Sequence, residues 1–459
     1  MSRATAFSGT FAHTPKRGEL EILENALVLV DESGTINDII RSEDARYQSS
    51  LDRAEISGAL FEGRKNSMFL PGMVDLHIHA PQWPQLGRAL HLPLDQWLNQ
   101  HTFPLEARYA DANFARSTYP DLVKTLLGNG TTTAVYFSSV HQEASRILAQ
   151  TCLHAGQRAF VGKVVMDDPS QCPQYYRDES ASHALEETAK FIDFVRCMPE
   201  NDSTLIQPMV TPRFIPSCSD AALAGLGQIA EGLQCRVQTH CSEGNWEHQF
   251  VIDRFGRSDT EMLKEFGLLR PGSILAHGNF ITAEDMQILV ESSVGIAHCP
   301  ISNAYFSNAV FPLKSALDAG VRVGLGTDIS GGPSPSIFEN CRFAVAASRM
   351  LEDGVNSKLD PAQRGTPESR IDFKEALWLA TAGGAQALDL PVGQFACNHQ
   401  FDAILVDTSN ISNVLFYPEH EEGKEDLLQK IIYNVSRSDI GHVWVDGRPV
   451  AGACTAQSH

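Results

Sequence analysis

The feature that most constrains the fold is a series of eight short apolar segments, each separated from the next by a stretch of helical periodicity. This alternation is typical of parallel strands joined by helices, and eight such units in series predict an α/β fold, a closed (β/α)8 TIM-like barrel. The predicted strands cover residues 73–79, 132–137, 159–166, 205–213, 235–240, 273–277, 294–298 and 321–328.

The two ends of the chain have a different pattern from the middle. Residues 20–32, 65–70, 401–407 and 440–451 are rich in Val, Ile and Leu and are bounded by Gly, Asp or Asn, which predicts short strands. We therefore predict that residues 1–68 and 386–459 together form a small β-sandwich domain. Residues 69–385 then form the barrel, as an insertion between the two halves of that domain.

The net charge narrows the range of partners. The chain has 36 Lys and Arg residues against 56 Asp and Glu residues, a formal net charge of -20. An acidic surface repels phosphate backbones and anionic lipid headgroups, so we expect a small-molecule substrate, with no nucleic acid and no membrane as partner. No apolar run reaches the roughly 18 residues of a membrane span, and the N-terminal segment lacks the apolar core of a signal peptide, which predicts a cytoplasmic protein.

Most of the predicted strands end in a side chain that can bind a metal, move a proton or hold an anion. These side chains are His77, His79, Arg213, His240, His277, His298 and Asp328. Because the carboxyl ends of barrel strands face one rim, where barrel enzymes place their chemistry, the regularity predicts an active site there. Taken singly, each histidine could instead be a hydrogen-bonded core residue and the aspartate a turn residue.

A metal site follows from the spacing of these residues. His77 and His79 are two positions apart on a strand and so share one face, while His240, His277 and Asp328 each follow an apolar run. Three imidazole nitrogens and a carboxylate are a plausible ligand set for zinc with one position left for water, whose pKa then falls toward about 7. Glu243, three residues beyond His240, is the candidate for carrying the proton to a leaving group.

Several motifs resemble those of the amidohydrolase superfamily. They are PGMVDLHIHA at 71–80, HCSE at 240–243, AHCP at 297–300 followed by Ser302 and Asn303, GLGTD at 324–328 and FDAILVD at 401–407. Within this superfamily, residues 80–106, NGTTTAVYF, QRAFVGKVVMD, VTPRF and GLGTDISGG resemble the barrel-type guanine deaminases. The resemblance implies hydrolytic deamination of guanine to xanthine and ammonia in purine catabolism, by a homodimer with one zinc ion per subunit.

The resemblance also implies roles for individual residues. The zinc ligands would be His77, His79, His240 and Asp328. His277 would orient the attacking water or the developing oxyanion, and Asp328 would help to deprotonate the water. Hydroxide activated by zinc would attack C2 of guanine, while Glu243 protonates the ring nitrogen N3 and then the departing amine. Dinuclear relatives carry a lysine at the end of strand four; the absence of lysine from LIQPMVTPR supports a single metal ion.

The same resemblance assigns the substrate-binding residues. Arg213 matches a purine-binding arginine whose planar fork suits the adjacent acceptors O6 and N7, and Gln82 matches a base-contacting glutamine. Phe214 would supply an apolar or stacking wall, and His240 would also contact the substrate. The alternative for Arg213 is an ion pair with a loop carboxylate.

Two other functions remain open from the sequence. The chain could catalyse another amidohydrolase reaction, such as deamination of a different purine, a pterin or a triazine, or the opening of a cyclic amide. It could also be a non-catalytic barrel protein that serves in assembly, but the presence of every expected ligand and of Glu243 argues against this.

Overall fold

The computed structural model describes residues 5–64, 66–201, 204–307, 309–409, 415 and 423–452. Its strands form two separate sheets. In chain order they are β1 (Ala6–Lys16), β2 (Glu19–Val30), β3 (Ile36–Ile40), β4 (Leu60–Glu62), β5 (Ser67–Pro71), β6 (Met73–His79), β7 (Thr131–Phe137), β8 (Arg158–Gly162), β9 (Val164–Val165), β10 (Ile206–Pro212), β11 (Arg236–Cys241), β12 (Ile274–His277), β13 (Gly295–His298), β14 (Arg322–Leu325), β15 (Ala403–Asp407), β16 (Ile440–Val445) and β17 (Arg448–Gly452).

Helices fill most of the intervals between the barrel strands, and others lie before the first barrel strand or after the last one. They are α1 (Tyr47–Ile56), α2 (Leu94–Trp97), α3 (Phe103–Glu106), α4 (Ala112–Gly128), α5 (Gln142–Ala155), α6 (Ala181–Arg196), α7 (Asp220–Gly232), α8 (Asn245–Phe255), α9 (Asp259–Glu265), α10 (Ala283–Ser292), α11 (Pro300–Ser302), α12 (Leu313–Asp318), α13 (Ile337–Asp353), α14 (Phe373–Trp378), α15 (Gly384–Ala387) and α16 (Lys424–Asn434). Within the described ranges, none of them has both the length and the apolar composition of a membrane span.

Strands β6 to β14 make one parallel sheet that curls into a nearly closed barrel. Its strand order is β14-β13-β12-β11-β10-β8-β7-β6, and the two-residue strand β9 continues β8 and pairs with β10. Each of the eight predicted segments overlaps at least one barrel strand, and the segment 159–166 covers both β8 and β9, so the predicted (β/α)8 barrel is confirmed. The last strand ends at Leu325, before Asp328, which therefore lies on the loop that leaves the barrel.

The barrel closes between β6 and the loop that follows β14. The backbone N–H of Asp328 donates to the carbonyl oxygen of His77 at 2.8 Å. The buried carboxylate of Asp75 accepts from both the backbone N–H of Thr327 at 2.9 Å and its hydroxyl at 2.5 Å. Because Asp75 also accepts from the backbone N–H of His77 at 3.2 Å, one carboxylate holds both sides of the seam.

The two ends of the chain share the second sheet, whose order is β17-β16-β15-β5-β1-β2-β3, with β4 beside β1. Strand β5 from the N-terminal part pairs antiparallel with β15 from the C-terminal part, with Leu70 opposite Ile404. One face carries a cluster of aromatic rings, in which Phe7 stacks on Phe401 with ring centroids 4.0 Å apart. The prediction that both ends build one β domain is confirmed; the boundaries 1–68, 69–385 and 386–459 stay predictions.

The seam yields a stability prediction. We expect Asp75→Ala to lower the free energy of unfolding by about 2–4 kcal/mol, because it leaves three buried donors without an acceptor. Thr327→Val removes only the hydroxyl donor and should cost about 1 kcal/mol. Denaturant titrations measure both values, with the exposed Asp253→Ala as a control. A loss for Asp75→Ala no larger than that of the control would contradict this description of the seam.

Candidate active site

The carboxyl ends of β6, β11 and β12 and the loop after β14 bring four imidazoles and one carboxylate together. These groups belong to His77, His79, His240, His277 and Asp328, all of them buried. Nε2 of His79 lies 3.0 Å from Nε2 of His240, and Nε2 of His77 lies 3.2 Å from Oδ1 of Asp328. In two overlapping groups, His77 with His240 and His277, and His77 with His79 and Asp328, the ligand atoms all lie within 4.8 Å of one another.

Left-handed backbone turns shape this rim. Ser242, His277 and Asp328 have φ angles of 48°, 75° and 49°, in a region that residues other than glycine seldom adopt. Ser242 directly follows β11, His277 is the last residue of β12, and Asp328 lies three residues beyond the end of β14. Such a conformation costs on the order of 1–3 kcal/mol per residue, so the surrounding packing must offset it.

Burial keeps the imidazoles uncharged. The pKa values of His77, His79 and His240 lie well below their ordinary value, first because the rings are removed from solvent and second because neighbouring imidazoles repel a proton. Nδ1 of His240 lies 2.5 Å from the carbonyl oxygen of Arg213, which can only accept, so Nδ1 carries the proton. Nε2 of His240 therefore presents a lone pair to the cluster.

Buried nitrogen atoms of the cluster lack hydrogen-bond partners. Both ring nitrogens of His77, Nδ1 of His79 and Nε2 of His277 are in this state. Unpartnered buried nitrogens are costly, whereas neutral imidazoles beside a carboxylate are the ligands that a divalent metal such as zinc prefers. The donor set therefore fits a metal ion.

A chain of amides sets the tautomer of His277. The Asn279 amide donates to the carbonyl oxygen of Glu243 at 2.8 Å, so its own oxygen faces Asn303 and accepts from that amide at 2.8 Å. The Asn303 oxygen then lies 2.9 Å from Nδ1 of His277, which must be the donor. Nε2 of His277 consequently offers a lone pair and lies 3.8 Å from Oε1 of Glu243.

Glu243 has the electrostatics of a proton carrier. Burial, followed by the negative charge of Asp328, raises the pKa of its carboxyl group to about 8. A carboxyl group with a pKa near neutrality can both take and release a proton. Its backbone N–H donates to Oε2 of Glu247 at 2.6 Å, which fixes the loop that follows β11.

A cavity opens over the cluster, with about 430 Å³ of empty space that includes its solvent-open mouth. Its walls are formed by His79, Gln82, Leu94, Trp97, Leu98, Arg213, Phe214, His240, Glu243, Phe306, Asp328 and Gly331. The structure thus places Gln82, Arg213 and Phe214, all selected from the sequence, on the same cavity as Glu243. The Phe214 ring centroid is 6.2 Å from that of His240. The roles predicted for these residues stay predictions.

One polar residue behind this cavity was missed from the sequence. Glu106, which is fully buried, pairs with Arg213 at 2.7 Å, so the alternative ion pair exists while Arg213 still lines the cavity. Glu106 ends the segment 80–106 that carries the resemblance, but nothing in the sequence pointed to its partner. His298 packs its ring on Phe311 at 5.2 Å and is not among the cavity-lining residues.

Comparison with known proteins agrees with this geometry. The model of the amidohydrolase family matches residues 68–450. A probable guanine deaminase of Schizosaccharomyces pombe is 36% identical over 457 residues, which cover 97% of this chain and 83% of that protein. The guanine deaminase of Homo sapiens is 35% identical over 460 residues, which cover 97% of this chain and 96% of that protein.

A solved structure is similar over nearly the whole chain. It is the crystal structure of a guanine deaminase from C. acetobutylicum with guanine bound in its active site. The two chains share 28% sequence identity with a TM-score of 0.86, and the match covers 97% of this chain and 100% of the other.

The amide chain yields a second prediction. We expect Asn279→Ala and Asn303→Ala to lower the free energy of unfolding non-additively, with a coupling energy of about 0.5–3 kcal/mol in a double-mutant cycle, because they share one hydrogen-bonded chain. Asn303→Ala combined with the exposed Asn113→Ala should be additive within about 0.5 kcal/mol. Denaturant titrations of the single and double variants measure both cycles. Additivity in the first cycle would show that the two amides act independently.

Proposed function

The chain belongs to the amidohydrolase family, and we propose that it is a zinc-dependent guanine deaminase that converts guanine and water to xanthine and ammonia. The observation that carries the proposal is one cavity whose walls combine three members of the imidazole and carboxylate cluster with Gln82 and Arg213; these members are His79, His240 and Asp328. The similarity to guanine deaminases over nearly the full chain length supports guanine as the substrate.

We assign one zinc ion per subunit to His77, His79, His240 and Asp328. Zinc held by these residues supplies Lewis-acid activation of a water molecule, bringing the pKa of that water toward about 7. The ammonium group of Lys163, which lies between β8 and β9, is 2.8 Å from the carboxylate of Asp178. Because this lysine is engaged in its own buried ion pair, it is not available to bridge a second metal.

Proton transfer falls to Glu243 and its neighbours. Glu243, with Asp328, takes a proton from the attacking water as the oxygen bonds to C2 of guanine. Glu243 gives this proton to N3, then takes the second proton from the new C2 hydroxyl and gives it to the amine. The amine leaves as ammonia, and the water oxygen becomes the C2 carbonyl oxygen of xanthine. His277 accepts a hydrogen bond from the water through Nε2, because its Nδ1–H is already donated to Asn303. This tautomer favours orientation of the water over stabilisation of an oxyanion.

Substrate recognition falls to donors on the cavity wall. O6 and N7 of guanine are both acceptors, and Arg213 and Gln82 both present N–H groups. Phe214 supplies an apolar wall beside the base and His240 contacts it from the metal side. Adenine would place its exocyclic amine, a donor, against the same donors, which explains the expected preference for a 6-oxo purine.

The proposal extends to the setting of the reaction. We infer a role in purine catabolism in the cytoplasm, as a homodimer that binds a small-molecule substrate and neither nucleic acid nor membrane. The acidic net charge of -20 supports the exclusion of polyanionic partners.

Substrate turnover tests the proposed function directly. Purified protein is incubated with guanine, adenine, pterin and cyclic amides, and ammonia release or ring opening is followed. We expect ammonia from guanine alone, and a fall in kcat of about 10²–10⁴-fold in Glu243→Gln with the metal content unchanged. The exposed Glu284→Gln should retain activity. Turnover of another compound in place of guanine would refute the assignment, and unaltered turnover in Glu243→Gln would show that another group carries the proton.

Metal analysis tests the ligand assignment. The unmodified protein should hold about one zinc ion per chain, and we expect His79→Ala to retain about tenfold less zinc after dialysis. Loss of a residue that merely hydrogen-bonds to a metal ligand lowers metal affinity by about 10–100-fold, and loss of the ligand itself should cost at least as much. His298→Ala is the matched control, since it removes a buried histidine from the same rim that lies outside the cavity. Elemental analysis after dialysis measures both. Equal zinc loss in both variants, or in neither, would contradict the assigned ligands.

A further inference from the structure

Glu106 holds both of the residues that present donors to the cavity. Its fully buried carboxylate accepts from Nη1 of Arg213 at 2.7 Å and from Nη2 at 3.3 Å. It also accepts from Nε2 of Gln82 at 2.8 Å. Glu106 itself is not among the cavity-lining residues, so it acts on a ligand through these two side chains.

The orientation of the Gln82 amide is fixed from both ends. The backbone N–H of Ser330 can only donate, and it lies 3.1 Å from Oε1 of Gln82. The carboxylate of Glu106 can only accept, so it requires Nε2 on its side. Rotating the amide would break both hydrogen bonds and set oxygen against carboxylate. Gln82 therefore has one N–H left for a ligand, on a side chain that lines the cavity.

Arg213 is fixed in the same way. Its guanidinium is buried and lies 5.2 Å from the ring centroid of Phe103, one turn of helix before Glu106. A buried guanidinium requires a counter-charge, and Glu106 supplies it within hydrogen-bond distance. Two of the five guanidinium N–H groups are used in this pair, and Nη1 also donates to the sulfur of Met166 at 3.8 Å. Nε–H and the second N–H of Nη2 remain for acceptors in the cavity.

We propose that Glu106 is a positioning residue that determines specificity for a 6-oxo purine. By holding Gln82 and Arg213 as donors, it makes the wall of the cavity complementary to a carbonyl oxygen and unfavourable to an amine or an unsubstituted carbon. A site built to hydrogen-bond a ligand oxygen strongly disfavours the analogue that lacks it, because its buried donors are left unpaired. The inference rests on the proposed function and names a determinant of its substrate class.

A second buried ion pair nearby provides a matched control. Lys163 and Asp178 are both buried, with Nζ 2.8 Å from Oδ1, and Asp178 also accepts from the backbone N–H of Met166 at 3.0 Å. Asp178→Asn and Glu106→Gln therefore make the same chemical change, a carboxylate to an amide opposite a buried cation. Only Glu106 contacts donors of the cavity wall.

The test compares two purines that differ at C6. Hypoxanthine has the 6-oxo group and purine has none, and neither carries the 2-amino group that deamination removes. We expect Glu106→Gln to raise the calorimetric Kd of hypoxanthine by about 10–100-fold and that of purine by less than about threefold, the loss of one to two good hydrogen bonds. The KM for guanine should rise by a similar factor while kcat falls less than about fivefold.

The controls decide between positioning and general stability. Asp178→Asn should leave the ratio of the hypoxanthine Kd to the purine Kd within about twofold of that of the unmodified protein. Glu106→Asp retains the charge on a shorter side chain, so its ratio should lie between those of the unmodified protein and Glu106→Gln. If Glu106→Gln does not fold, Glu106→Asp decides. An unchanged ratio in the Glu106 variants, or an equal change in Asp178→Asn, would overturn the proposal. Guanine turnover by the unmodified protein tests the proposed function separately from this ratio.

Discussion

The site depends on the closure of the barrel between its first and last strands. His77 and His79 lie on β6, whereas Asp328 lies beyond β14, and the seam held by Asp75 and Thr327 brings these two ends of the barrel together. Without this closure the imidazoles of the first strand would lack a facing carboxylate. The same contacts that close the barrel thus also bring together the proposed metal ligands, which couples the stability of the fold to the integrity of the site.

Burying four imidazoles and a carboxylate together costs free energy, and neighbouring groups reduce this cost by hydrogen-bonding to two of the rings. Desolvation holds the imidazoles neutral, and fixed acceptors choose the tautomer: the carbonyl oxygen of Arg213 for His240 and the amide of Asn303 for His277. The left-handed turns at His277 and Asp328 add conformational strain at the same rim. Because these acceptors are already in place around the imidazoles, little reorganisation is required when a ligand enters.

In the proposed function, recognition and chemistry fall to different parts of the chain. The reacting side of the cavity comes from strand ends, where the sheet holds each group rigidly. The recognising side comes largely from the long excursion at 80–106 between β6 and α4, which carries Gln82 at its start and Glu106 at its end. Arg213, at the end of β10, connects the two sides, because its carbonyl oxygen holds His240 while its guanidinium is held by Glu106. With this arrangement, changes in the segment 80–106 would alter the substrate specificity while the reacting groups stay in place.

What the sequence determined by itself is the barrel and the rim. Hydrophobic periodicity reports which segments are buried strands, and the polar residue at the end of a buried run marks the carboxyl edge, so His77, His79, His240, His277 and Asp328 could be selected without coordinates. Glu106, Asn279 and Asn303 could not be assigned a partner in this way. Their partners lie 107 residues away for Glu106 and 36 and 24 residues away for Asn279. Periodicity records that a side chain is buried, but only the tertiary structure decides which donor and acceptor meet, because hydrogen bonds depend on distance and direction that no local pattern encodes.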